Sequence, residues 1–206
     1  GNGNYWRVSH EFLLLGVRGN LTFPDRTQQS WLFADRGGHS VYASLVYIDR
    51  EGRVQSVHRK LMPTYEERLS WSPGDGHGLR THRLGAFTVG GLNCWENWMP
   101  LARTALYAQG EDLHVAIWPG GMHNTPDITR WIARESRSYV ISTCGVLRRS
   151  DIPDGLRQVD LRGSSLPEVI ANGGSCIAAP DGSWVAAPLP EEEAGDLLVG
   201  QPLTVD

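Results

Sequence analysis

Apolar, β-branched and aromatic positions from Val41 to Ile48 predict a strand, Asp49-Arg50-Glu51-Gly52 a turn, and Val54 to His58 the returning strand of a hairpin. The hairpin leads into Lys60. From Pro63 to Gly78 the chain is polar and turn-rich, and it reads as loop before Ala86 to Leu92 resumes a small, apolar, strand-like pattern. Pro100 suits a first helical turn. Leu101, Ala105, Leu106 and Ala108 follow at helical spacing, and Gly110 is a C-terminal stop.

Leu113 to Trp118 then reads as a strand. Thr125-Pro126-Asp127 supplies an N-cap, a first-turn proline and an acid near the positive helix end, with Ile128, Trp131 and Ile132 expected on one face. Tyr139 to Thr143 is the next strand, and Cys176 to Val185 closes as a hairpin on Asp181-Gly182. Strand, helix, strand, helix, strand from Ala86 onward predicts an α/β layered fold. Before Val41 only Phe12-Leu13-Leu14-Leu15 reads as a buried strand, and the stretch to Gly38 reads as loop.

Composition narrows the function classes. With 206 residues, 40% of them hydrophobic, the chain suffices for one core, and residues 1–206 are expected to form a single domain. A net charge of -4, with arginines scattered, argues against nucleic acid as a partner. The longest apolar run, Phe12 to Val17, is far short of the roughly 20 residues a membrane helix needs, so no membrane partner is expected. No secretory signal is visible, and three widely spaced cysteines form neither a disulfide framework nor a zinc pattern, so a cytoplasmic location is expected. Common phosphate, dinucleotide and metal motifs are missing; the expectation is chemistry from side chains, with no cofactor and no metal. Glu191-Glu192-Glu193 reads as a solvated loop.

Candidate chemistry centres on Asn93-Cys94-Trp95-Glu96-Asn97. A cysteine at a strand end, followed by a turn into a helix, meets backbone N–H groups and a positive helix end, both favouring thiolate. The alternative is a small buried hydrophobe, the reading that suits Cys144 and Cys176. Lys60 is the single lysine among 19 lysine and arginine residues. It is either a compact cation for stabilising developing negative charge or a surface solubiliser. Glu96 reads as a structural hydrogen-bonding residue rather than an acid–base group, and Glu135 with Arg137 as an ion-paired helix end. Trp95, Trp118 and Trp131 suit core or interface, although Trp118, ending a strand, can shape a pocket.

The run from His58 to Arg68 (HRKLMPTYEER), read with Gly91 to Leu101 (GLNCWENWMPL), closely resembles the nitrilase branch of the carbon-nitrogen hydrolase superfamily. The resemblance continues through Leu106–Gly110, Ile117–Gly120, Asp127–Arg130 and Asn172–Ala178, covering His39 to about Val205. It implies a four-layer α-β-β-α sandwich, here in incomplete form, with Cys94 as nucleophile, Lys60 as catalytic lysine and Glu67 as the second glutamate near the site. Trp95-Glu96 after the cysteine argues by analogy for nitriles over amides. The implied reaction turns a small-molecule nitrile into carboxylic acid and ammonia through a thioimidate and an acyl-enzyme. An amidase or cyanide-hydrating relative, and a non-catalytic assembly subunit, are the rival expectations. A homo-oligomer, dimeric or a larger spiral, is also implied.

One element of the family pattern is missing. Members carry a general-base glutamate in a Phe-Pro-Glu motif well upstream of the lysine, whereas this chain offers only Phe23-Pro24-Asp25. The family's C-terminal extension is also missing, so the expectation is a fragment of a longer enzyme or a shortened relative.

Overall fold

A computed structural model of the chain describes residues 41–49, 51–69, 71–152 and 167–189. The expected strand at Phe12–Leu15, the Phe23-Pro24-Asp25 motif and the Glu191–Glu193 loop lie outside them. Two compact units divide the chain, Gly1–Arg80 and Thr81–Asp206.

In the first unit β1 (Ser44–Ile48) and β2 (Val54–Arg59) form the expected antiparallel hairpin, with Leu45 opposite His58. Asp49 closes it. Its Oδ1 accepts the N–H groups of Glu51 (3.0 Å) and Arg53 (2.8 Å), an Asx-type turn that makes the reversal local. Those N–H donors hold the Asp49 carboxyl below its ordinary range, the Arg53 N–H contributing most. Paired valines and isoleucine on one side of the ribbon, Val46 opposite Val57 and Ile48 opposite Val54, are exposed. The polar stretch after Pro63 is not all loop: Tyr65–Leu69 coils into a 3-10 turn.

The second unit is built on a six-stranded mixed sheet. Its strands are β3 (His82–Leu84), β4 (Phe87–Asn93), β5 (Leu113–Trp118), β6 (Tyr139–Cys144), β9 (Cys176–Ala178) and β10 (Trp184–Ala186). Their spatial order is β10-β9-β6-β5-β4-β3, with β4, β5 and β6 parallel and the outer strands antiparallel. Helix α1 (Pro100–Tyr107) connects β4 to β5, and α2 (Pro126–Ser136) connects β5 to β6. The strand–helix–strand order read from the sequence is therefore the βα alternation of an α/β fold. β4 and β5 are buried almost continuously rather than at alternate positions, as expected when both faces of parallel strands are covered. Two further strands, β7 (Val146–Arg148) and β8 (Val169–Asn172), pair in a small separate sheet.

The core gathers Ala116, Trp118, Val140, Cys144 and Ala178 from the sheet with Ile128, Ile132 and Ala133 from α2. Two expected helix faces differ from those observed. On α2, Ile128 and Ile132 are buried as expected, but Trp131 is 62% exposed, and Thr129 and Ala133 complete the buried face. On α1, Leu101 is 85% exposed, while Ala102, Arg103 and Leu106 are buried. Spacing alone left both faces open, because an apolar side chain at the helical period is buried only where a sheet covers it. Thr125 precedes α2 as expected, but its hydroxyl makes no capping bond; it donates to Gly121 O at 3.3 Å. Glu135 is ion-paired, with Arg103 rather than Arg137, because Arg137 turns into the left-handed region (φ 60°) as α2 ends.

Candidate functional site

Cys94 follows the last residue of β4 and opens a 3-10 turn, Cys94–Trp98, with α1 close behind. Its φ of 58° is unusual for a residue with a side chain and costs about 1–3 kcal/mol, so the surroundings must impose it. Two fully buried neighbours do so. Glu96 Oε2 accepts the Asn93 N–H at 3.0 Å, and the Asn97 amide nitrogen donates to Cys94 O at 2.9 Å and to Leu92 O at 3.2 Å. Glu96 thus clamps the sharp turn, the hydrogen-bonding role read from its place beside the cysteine. Cys94 itself is half-buried.

A cleft of about 60 Å³ lies beside Cys94, lined also by Trp95, Trp118, Gly121, Asn124 and Thr125. That volume suits a small group rather than a bulky ligand. Parallel register explains the company: Asn93 lies opposite Ile117, so the residues after β4 and at the end of β5 meet at one sheet edge. Trp118 is 4% exposed and its indole N–H donates to Ser142 Oγ at 3.3 Å. Ser142 in turn lies 2.5 Å from Thr129 Oγ1, so a buried polar chain fixes the ring. Trp95 is half exposed and tilts against Trp98, ring centroids 5.8 Å apart.

In the first unit Lys60 is 1% exposed, and its Nζ donates to Glu67 Oε2 at 2.5 Å. The same oxygen accepts the Thr64 N–H at 2.6 Å, which the 3-10 turn brings within reach. The solubiliser reading of Lys60 fails on burial: a buried ammonium needs a partner, and Glu67 is it. Lys60 and Glu67 thus form one grouping, in Gly1–Arg80, and Cys94, Trp95 and Trp118 another, in Thr81–Asp206.

The other two cysteines are buried, Cys144 at 7% exposure and Cys176 at none; burial pushes the Cys176 thiol up to about 11. Both behave as small apolar residues. Among the described residues no cluster of three or more His, Cys, Asp or Glu could hold a metal ion, and no helix is long and apolar enough to cross a membrane. Sequence reasoning named Asn97 within the Cys94 stretch but gave neither it nor His114 a role. The available signal was a histidine and a glutamate three residues apart, one of them inside the apolar run of β5.

Comparisons with known proteins place the chain in a family. A family model described as carbon-nitrogen hydrolase matches residues 27–201. An aliphatic nitrilase of Rhodococcus rhodochrous is 34% identical over 174 residues, 79% of this chain and 45% of that protein. A bifunctional nitrilase/nitrile hydratase of Lupinus angustifolius is 35% identical over 176 residues, 81% of this chain and 49% of its own length. The chain spans about half the length of the curated relatives it matches. Among solved structures, a carbon-nitrogen hydrolase from Helicobacter pylori G27 superposes with a TM-score of 0.56 at 18% identity, covering 76% of this chain and 59% of the other. That likeness carries the fold: an α/β carbon-nitrogen hydrolase sandwich, represented here by the mixed sheet and its helices. A family match over most of the sequence and a shared fold lead to one conclusion: the chain belongs to the carbon-nitrogen hydrolase family.

Proposed function

We propose that the protein is a nitrilase-type hydrolase that converts a small nitrile to its carboxylic acid and ammonia. The observation that carries the reading is Cys94, held at φ 58° at the head of a 3-10 turn and opening on a small cleft beside Trp95 and Trp118. An elbow of this kind presents a nucleophile while aiming backbone N–H groups at it. The nitrilase relatives and the Cys94-Trp95-Glu96 sequence support nitriles as the substrate class.

In this reading the Cys94 thiolate attacks the nitrile carbon, a C–S bond forms, and the nitrogen takes a proton to give a thioimidate. Water adds to that carbon, the C–N bond breaks, and ammonia leaves a thioester. A second water cleaves the C–S bond, releasing the acid and restoring the thiol; two waters are consumed per nitrile. Lys60, by resemblance, stabilises the tetrahedral species, and Glu67 keeps its ammonium in one place. Trp118 limits the acyl group. Self-association and a cytoplasmic location belong to the same reading.

A second outcome is favoured by the bifunctional relative. If the tetrahedral species expels sulfur instead of ammonia, the product is the amide. Incubating the protein with a panel of nitriles and amides, and quantifying ammonia, acid and amide, tests both. Acid with ammonia supports nitrilase action and amide from nitrile the hydratase branch; turnover of amides without nitriles overturns the proposal, and turnover of neither favours an assembly subunit.

A further inference from the structure

Behind the Cys94 turn lies a buried chain of polar side chains that the proposed reaction does not use. His114, in β5, is fully buried; its Nδ1 lies 2.9 Å from Glu111 Oε1 and its Nε2 lies 2.9 Å from Asn97 Oδ1. Glu111 is 5% exposed, and its second carboxyl oxygen has no hydrogen-bond partner among the described residues. Polar groups buried this deeply are costly unless hydrogen-bonded, and one oxygen of Glu111 is not.

The proton positions follow from the partners. The Asn97 amide nitrogen faces two carbonyls, Leu92 O and Cys94 O, which can only accept, so the amide oxygen must face His114. His114 Nε2 therefore carries hydrogen and donates. At Nδ1 either Glu111 donates to a neutral imidazole or an imidazolium donates to the carboxylate. In both cases the pair holds one shared proton and is neutral overall. The sheet is shaped to receive it: a Cβ at Gly90 would collide with Glu111 Oε1, so the glycine in β4 leaves the space the carboxyl occupies.

We infer that Glu111, His114 and Asn97 form a positioning relay that fixes the reactive geometry of Cys94. Asn97 grips the carbonyl of Cys94 itself and that of Leu92 two residues before it, spanning the residue forced to positive φ. His114 prevents the Asn97 amide from rotating, and Glu111 prevents the imidazole from rotating. Ser138, whose hydroxyl donates to Glu111 O at 2.9 Å, anchors the far end. The inference rests on Cys94 being the nucleophile of the proposed hydrolase.

The test is the rate at which iodoacetamide alkylates Cys94 in the full chain, read by mass spectrometry of the cysteine-bearing peptide. His114→Phe fills the space without donating to Asn97, and Asn97→Asp keeps the shape and the acceptor but removes the N–H donors. Each is expected to slow alkylation at least about tenfold, the scale of one lost charge- or amide-donated hydrogen bond. Glu111→Leu is expected to do the same. Glu111→Gln rescues, to within about threefold of the parent, because a glutamine N–H donates to Nδ1 and leaves Nε2–H on Asn97. Folding is followed by cooperative thermal melting. Folded His114→Phe and Asn97→Asp proteins that alkylate at or above the parent rate overturn the relay, and so does a Glu111→Gln no faster than Glu111→Leu. Loss of the folded state in both His114→Phe and Asn97→Asp assigns the chain to stability alone and overturns it too. Nitrile turnover plays no part in the readout: a parent that alkylates at Cys94 and shows the expected series, yet converts no nitrile, overturns the hydrolase reading and leaves the relay standing.

Discussion

Arg103 and Glu135 are joined by two hydrogen bonds, Nε to Oε2 at 2.8 Å and Nη2 to Oε1 at 3.3 Å, tying α1 to α2. The remaining guanidinium nitrogen, Nη1, donates to Asn97 O at 2.9 Å, so the pair also steadies the turn that carries Cys94. The Tyr107 hydroxyl donates to Glu135 as well, at 2.9 Å.

These donors set an acid limit. The hydrogen bond from Arg103 holds the Glu135 carboxyl below its ordinary range, with burial opposing. A depressed folded value means the stabilisation is present above the unfolded carboxylate value of about 4.3 and is lost as pH falls through the lower folded one. Glu135 is 36% exposed, so solvent screening reduces the contribution to about 1 kcal/mol. Thermal melts at pH 7 and near pH 3 are expected to show Glu135→Gln less stable than the parent at pH 7 and nearly equal to it in acid. A gap that is unchanged at low pH would remove Glu135 from the acid limb.

The cysteines separate by environment. At pH 7.5 an electrophile is expected to modify Cys94 before Cys144 or Cys176, since both are buried and the Cys176 thiol is raised to about 11. Cys94→Ser is expected to lower ammonia release from a nitrile by at least about 10³, whereas Cys176→Ala leaves it within a few-fold. Peptide mapping of the labelled protein and an ammonia assay check both halves.

Lys60 carries the next expectation. Lys60→Gln removes a buried cation and leaves Glu67 facing a neutral amide, so turnover is expected to fall about 10²–10³-fold, the usual scale for a lost charge-stabilising donor. Glu67→Gln keeps the cation and is expected to lose less. Steady-state rates of the two variants on one nitrile decide it; a larger loss at Glu67 would assign the direct chemistry to the carboxylate.

Trp118 lines the cleft, and its indole N–H donates to Ser142. Trp118→Leu is expected to raise kcat/KM for a branched nitrile relative to a linear one by about tenfold, the discrimination that one or two methylenes of space allow. Ser142→Ala, which frees the indole without shrinking it, is expected to shift the same ratio in the same direction by less. Rates on a matched pair of nitriles measure it.

Much of the frame was legible because its signals are local. Leu113–Trp118 is a short apolar run bounded by polar turns, and Asp181-Gly182 names its own hairpin, with Gly182 at φ 83°. The α2 start was marked by Thr125-Pro126-Asp127. Cys94 stood out because an apolar strand stops at a polar turn. What stayed hidden depends on which surfaces meet. Leu101 and Trp131 sit at core-like spacing, yet no described layer covers them. Strands of three or four residues, β3, β7 and β8, are too short for period-2 alternation to declare itself. Glu135 was matched to its sequence neighbour Arg137 when its partner, Arg103, lies 32 residues away. The His114–Asn97 bond spans 17 residues, and only the packing of β5 beside β4 creates it.

The parallel ladder of β4, β5 and β6 pairs Asn93 with Ile117 and Trp118 with Cys144. A chain built this way separates two design problems. Depth within the sheet is held by backbone hydrogen bonds that tolerate no one-residue slip, since that would move Trp118 away from the level of Cys94. Reach beyond the sheet is left to residues 119–125, the connection between β5 and α2. Residues added or removed there would redraw the wall of the cleft while the turn that carries Cys94 kept its place in the sheet.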